Sequence, residues 1–168
     1  MLALWKRVEE VFLPNPHAKY KRCGRHLLEL KDAPNTMTNE TRINVKDARF
    51  AKFRASTLTV TKIYDLKNDL FIDELYWSFA GHIIVYKVDQ EVIPHEFDMD
   101  LNNVCAGGIH YFHSLVAAFF FAVERLPDDI DFEDNGCIRR IYKQNKAMSD
   151  EQWLAHYFHI SNPIWLVR

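Results

Sequence analysis

Cysteine is scarce in this chain, with three residues (Cys23, Cys105, Cys137) in 168. An odd and sparse set argues against a structural disulfide framework and for a reducing, intracellular compartment. Glycine (5) and proline (6) are also thin, which excludes a collagen-like fibre and a low-complexity scaffold. Long apolar runs are missing. Leu115 to Val123 is stopped by Glu124 and Arg125, well short of the ~20 residues a membrane helix needs. Met1-Leu2-Ala3-Leu4-Trp5-Lys6-Arg7 places its charge after a very short apolar stretch, the wrong order and length for a signal peptide. What remains is a globular composition: 48% apolar, 26% charged and 14% aromatic. Its length suits one domain with one core.

The net charge is -2, unevenly spread. Residues 1 to 62 carry a balance of +7 and residues 63 to 168 a balance of -9. If the asymmetry survives folding, a basic and an acidic face favour head-to-tail or hetero-oligomeric contacts; solvated faces without a partner are the alternative. A pI of 6.4 argues against nucleic acid as a partner.

Leu2, Trp5, Val8 and Phe12 fall at near-helical spacing, so residues 2–13 read as a short amphipathic helix. Pro14-Asn15-Pro16 ends it. Strands are expected at His26–Lys31, Thr57–Tyr64, His82–Val88 and Gly108–Phe112. Val92–Phe97 continues or pairs with the third, at an edge because of Pro94. Residues 32–48 read as a loop or extended arm, and Leu70–Phe79 as a short helix. Ser114 is the expected N-cap of an almost wholly apolar helix, Leu115–Leu126. An acidic loop (128–134), a strand (138–142) and a helix (150–159) opened by a Ser149/Gln152 capping box follow. The reading is α+β: a single domain, mainly antiparallel sheet with a few short helices. It divides into an N-terminal helix and arm (1–25), a core (26–126) and a C-terminal extension (127–168).

Two His-x-x-His spacings, His110/His113 and His156/His159, raise a metal site, with Cys105 just upstream of the first. Only one cysteine is near and no Cys-x-x-Cys exists, so the expectation is hydrogen-bonded histidines with no metal and no cofactor. Cys105 with His110 is the one pair resembling a nucleophile and its base; a buried structural thiol is the plainer reading. Gly107-Gly108 lacks the spacing and lysine of a phosphate loop. The pair instead permits a tight turn or close backbone approach. Cys105, Gly108 and His110 thus mark a candidate ligand turn. No catalytic residue is assigned.

Three segments resemble one family in order. Phe50-Ala51-Lys52-Phe53-Arg54-Ala55-Ser56 resembles its K-x-R-A/C-S strand. Val85 to Pro94 followed by Phe97-Asp98 resembles its Y-x-V-G-E-x-V-x-P-x-x-F-D segment, with Asp89-Gln90 where the family has Gly. Val104 to Phe112 resembles its C-S-x-G-I-H-F-F segment. The family is an uncharacterised domain of bacteria and large DNA viruses, often fused to pentapeptide repeats, which this chain lacks. The likeness covers roughly residues 26–124.

The resemblance carries no activity, but it implies a large icosahedral double-stranded DNA virus. The expectation is a non-enzymatic minor capsid protein, a cement or staple in the virion, with other capsid proteins or copies of itself as partners. Apolar residues at both ends (Leu2, Trp5, Phe12; Ile164, Trp165, Leu166) form the expected interface, with Trp5→Ala weakening assembly and sparing the fold. The alternative is an enzyme or small-ligand-binding domain with its site at Cys105, Gly108 and His110. A host-interaction module is a third reading.

Overall fold

A computed structural model describes residues 2–45, 48, 51–79 and 81–121. The expected elements beyond residue 127, with Ile164, Trp165 and Leu166, lie outside the described residues. Helix α1 (Leu2–Val11) opens the chain. A hairpin follows, β1 (Lys19–Cys23) with β2 (His26–Asp32), turning at Gly24 with φ +55°. After the loop come β3 (Phe53–Ala55) and β4 (Leu58–Asp65), and β4 lies antiparallel against β2. The two ends of β4 also pair with short β5 (Leu70–Phe71) and β8 (Glu91–Val92). Between those, β6 (Glu74–Phe79) and β7 (His82–Lys87) make a separate hairpin. Finally β9 (Ile109–Tyr111) pairs with β3 and leads into α2 (Leu115–Phe121).

Every pairing among the described residues is antiparallel, as the sequence led one to expect of an α+β domain. Tyr20 and Phe112 stitch the β3–β9 ribbon to β1 by two backbone hydrogen bonds, at 2.7 and 2.8 Å. Ser114 caps α2, its Oγ accepting from the Ala117 N–H at 3.3 Å. Asp89 takes φ +62° in a left-handed turn; aspartate tolerates that conformation better than most side chains.

Leu70–Phe79 is a correction. It is not a helix but β5 and the whole of β6. The stretch satisfies a period of two: Leu75 and Trp77 turn inward while Tyr76 and Ser78 face out. With β7 available across a tight turn at Gly81, the ladder wins over a short marginal helix. Strand β1 went unanticipated because Lys19, Lys21 and Arg22 interrupt its apolar pattern.

Alternation along the sheet feeds two cores. Tyr20, Leu27 and Tyr64 pack with Trp5, Val8 and Phe12 of α1 and with Val116 and Phe119 of α2. Leu28, Leu30, Leu58, Val60 and Ile63 turn the other way, onto Phe53, Tyr111, Leu75 and Tyr86. Trp5 meets Phe119 edge-on at 5.2 Å, and Phe12 meets Tyr20 and Tyr64 at 6.2 and 6.1 Å. At Trp5 and Phe12 this corrects the expected partner interface. Leu2 begins α1, but Trp5 and Phe12 are buried inside the chain itself. The amphipathic stripe of a short helix must dock somewhere, and the nearest apolar face is its own sheet. Trp5→Ala is therefore expected to cost the isolated chain about 3–5 kcal/mol in urea denaturation; unchanged stability would contradict this packing.

Candidate functional site

Strand alternation sends Phe53 and Ala55 into the core and leaves Arg54, between them, on the opposite face of β3. Its side chain is nonetheless 0% exposed. A buried guanidinium is costly unless its donors are matched. Here the loop between β8 and β9 folds round it. Arg54 Nε donates to the Asn103 carbonyl at 2.7 Å, Nη1 to those of Asp98 (3.1 Å) and Gly107 (2.6 Å), and Nη2 to that of Asp100 (2.7 Å). The Phe97 ring lies over the guanidinium at 5.4 Å, in the geometry of a cation–π contact.

The loop is braced from two sides. Buried Asn39 accepts the Arg54 backbone N–H at 2.7 Å and donates its amide to the Leu101 carbonyl at 3.1 Å. Within the loop the Asp98 carboxylate accepts from the Asn103 amide (2.9 Å) and the Asp100 N–H (2.8 Å). These bonds, with a smaller contribution from Arg54, hold its pKa below the usual carboxylate value.

The glycine pair is needed for close approach. A Cβ at Gly107 would stand 2.6 Å from Glu96 Cγ, and one at Gly108 would stand 3.1 Å from Arg54 Cβ. Gly108 also takes φ +139°, which side-chain-bearing residues avoid. The three sequence segments thus meet in space: Arg54 from the first, Phe97-Asp98 from the second, Gly107-Gly108 from the third.

His110 sits opposite Arg54 in the β3–β9 register. Burial drives its pKa down to about 3, with Lys21, Lys52 and Arg54 adding repulsion, so the ring is neutral at physiological pH. A backbone hydrogen bond ties it to Ala106, and its buried Nε2 has no hydrogen-bond partner. Lys21 Nζ donates to the His110 carbonyl at 3.0 Å. Cys105 is exposed, and its Sγ accepts from Lys52 Nζ at 2.9 Å. The plainer reading of Cys105 as a buried thiol is thereby corrected; the loop held by Arg54 carries it at the surface.

His113 diverges from His110 and joins a second cluster. Glu40 Oε1 accepts from the Tyr111 hydroxyl, from His113 Nε2 (3.2 Å) and from Lys19 Nζ (3.3 Å). Lys19 also reaches Asp32 at 2.5 Å and lies 5.0 Å from the Tyr111 ring centre. The His113 hydrogen bond, helped by that of Tyr111 and opposed by burial, brings the Glu40 pKa down to about 2. The polar stretch 32–48 gave no signal of this cluster, because Glu40 and Asn39 acquire partners only when β9 and the loop before it close over them. Among the described residues no helix is long and apolar enough to cross a membrane.

The chain belongs to a family of unknown function (DUF5758), which matches residues 9–118. The match begins inside α1, earlier than the expected residue 26, and ends inside α2, taking in the nine strands found among the described residues and the whole Arg54 loop. No curated protein and no solved structure matches the chain.

Arg54→Met keeps side-chain bulk and strands four carbonyls, so a loss of about 3–5 kcal/mol is expected in chemical denaturation. Arg54→Lys should recover only part of it, because a point charge cannot serve four acceptors. Wild-type stability in either variant would contradict the assignment. Glu40 makes a separate prediction. Its folded pKa lies near 2, below the ordinary 4.5, so its stabilisation is complete above pH 4.5 and disappears as pH falls toward 2. Glu40→Gln should flatten the stability profile in that window; an unaltered slope would disprove the network.

Proposed function

We propose that this member of a family of unknown function is a non-enzymatic structural and interaction protein. Its specific form is a minor capsid component, a cement or staple of a large icosahedral double-stranded DNA virus, with other capsid proteins or copies of itself as partners. The virion would be its location. The observation that supports an interaction role is the outer face of the β6–β7 hairpin. Tyr76 and Val85 are register partners, and Ile83 follows two residues from Val85 on the same face. Their exposures are 66%, 40% and 70%. Single exposed apolar residues are ordinary, but a contiguous row on a two-stranded ribbon is a surface suited to a partner. The viral and capsid terms rest on the resemblance of the three segments.

A second reading, an enzyme or small-ligand site at Cys105, Gly108 and His110, has one observation in its favour: the orphaned Nε2 of His110, since a buried unpaired nitrogen asks for a donor. Under it, His110→Ala folds normally and loses a ligand; under the structural reading the same variant only shifts stability.

Quantitative mass spectrometry of purified particles separates the two. A high copy number in fixed ratio to the major shell protein is expected. Absence from particles would sink the capsid role. Ile83→Asp should lower incorporation sharply while changing the stability of the isolated chain by less than about 0.5 kcal/mol; normal incorporation would remove the hairpin from the interface.

A further inference from the structure

Two nucleophilic side chains meet where the first and third matched segments come together. Lys52 lies one residue before β3, and Cys105 lies in the loop that Arg54 holds. Lys52 is 7% exposed, and its Nζ is 2.9 Å from Cys105 Sγ. The Phe121 ring stands 5.4 Å from the same nitrogen. Among the described residues no carboxylate forms an ion pair with Lys52. The lysine is therefore committed to the sulfur rather than to an acid, and Cys105 itself is open to small oxidants.

We propose that Lys52 and Cys105 form a reversible covalent link when the protein meets a peroxide. Cys105 Sγ attacks one peroxide oxygen; the O–O bond breaks, and the departing hydroxide takes the thiol proton as water. Sulfur is oxidised by two electrons, peroxide is reduced by two, and Cys105 becomes a sulfenic acid. The Lys52 ammonium gives up a proton to solvent, and the amine so formed, already in contact, attacks the sulfur. The S–N bond forms, the S–O bond breaks, and the hydroxide leaves with an amine proton as a second water. The net change in the protein is the loss of two hydrogens. Because the linked residues are 53 positions apart, the bond closes a long loop and restricts the unfolded chain. It pins the Arg54 loop to the strand that carries Arg54.

The test is intact-mass spectrometry and peptide mapping of the full chain before and after hydrogen peroxide. The expected product is a cross-linked peptide pair containing Lys52 and Cys105, lighter by two hydrogens, reversed by dithiothreitol and accompanied by a higher melting temperature. A pair heavier by the retained oxygen, an N–O–S bridge made with a second peroxide, supports the same link. Lys52→Arg keeps the charge and should leave Cys105 trapped as a sulfenic acid by dimedone. Cys105→Ser should show neither product. Peptide mapping distinguishes the link from a disulfide with Cys23 or Cys137, which has the same mass change. A wild-type chain yielding only sulfenic and higher acids, or only disulfides, would overturn the proposal.

Discussion

One buried cation organises the matched region. The Arg54 guanidinium sits on the outer side of a three-residue strand, where water would ordinarily solvate it, and a loop covers it instead. Four backbone carbonyls from Asp98, Asp100, Asn103 and Gly107 replace that water. The dependence is mutual. Without the arginine, the loop has carbonyls turned inward with no donor; without the loop, the arginine has a charge with no acceptors. Such an arrangement fixes one geometry because the planar fork admits few others.

The neighbouring features follow from that closure. Gly108 lets the loop approach Arg54 because it lacks a side chain, and Gly107 lets the loop pass close to its own Glu96. Its closure brings Cys105 against Lys52 and sets His110 across from Arg54 among cations, where the ring stays neutral. One strand face away, Tyr111 and His113 converge on Glu40. The residues that made the Cys105–His110 turn conspicuous are thus tied to the scaffold, while Tyr76, Ile83 and Val85 on the β6–β7 hairpin stand exposed.

Strands β4 and β7 were legible because β-branched and apolar residues dominate both. The glycine pair was legible as a tight approach. Other parts were hidden for identifiable reasons. In β1 the cationic residues find partners that no local pattern announces: Asp32 for Lys19, the His110 carbonyl for Lys21, the Phe119 carbonyl for Arg22. In β6, aromatic and apolar residues fit both a helical and a strand period, and only the presence of β7 decides. The stripe Trp5–Val8–Phe12 was visible, but periodicity does not say whether a stripe covers its own sheet or a neighbour. Arg54 was hidden most thoroughly, since its acceptors are main-chain carbonyls, which every residue carries.

Arg54 holds the loop between β8 and β9 closed. Amide hydrogen exchange, compared between wild type and Arg54→Lys under conditions where both remain folded, tests it most directly. Protection should fall selectively across residues 98–107 and at the Arg54 amide bonded to Asn39, while the amides shared by β1, β2 and β4 keep theirs. Equal protection of the loop in the two proteins would contradict the account, because the loop would then be held by something other than the arginine.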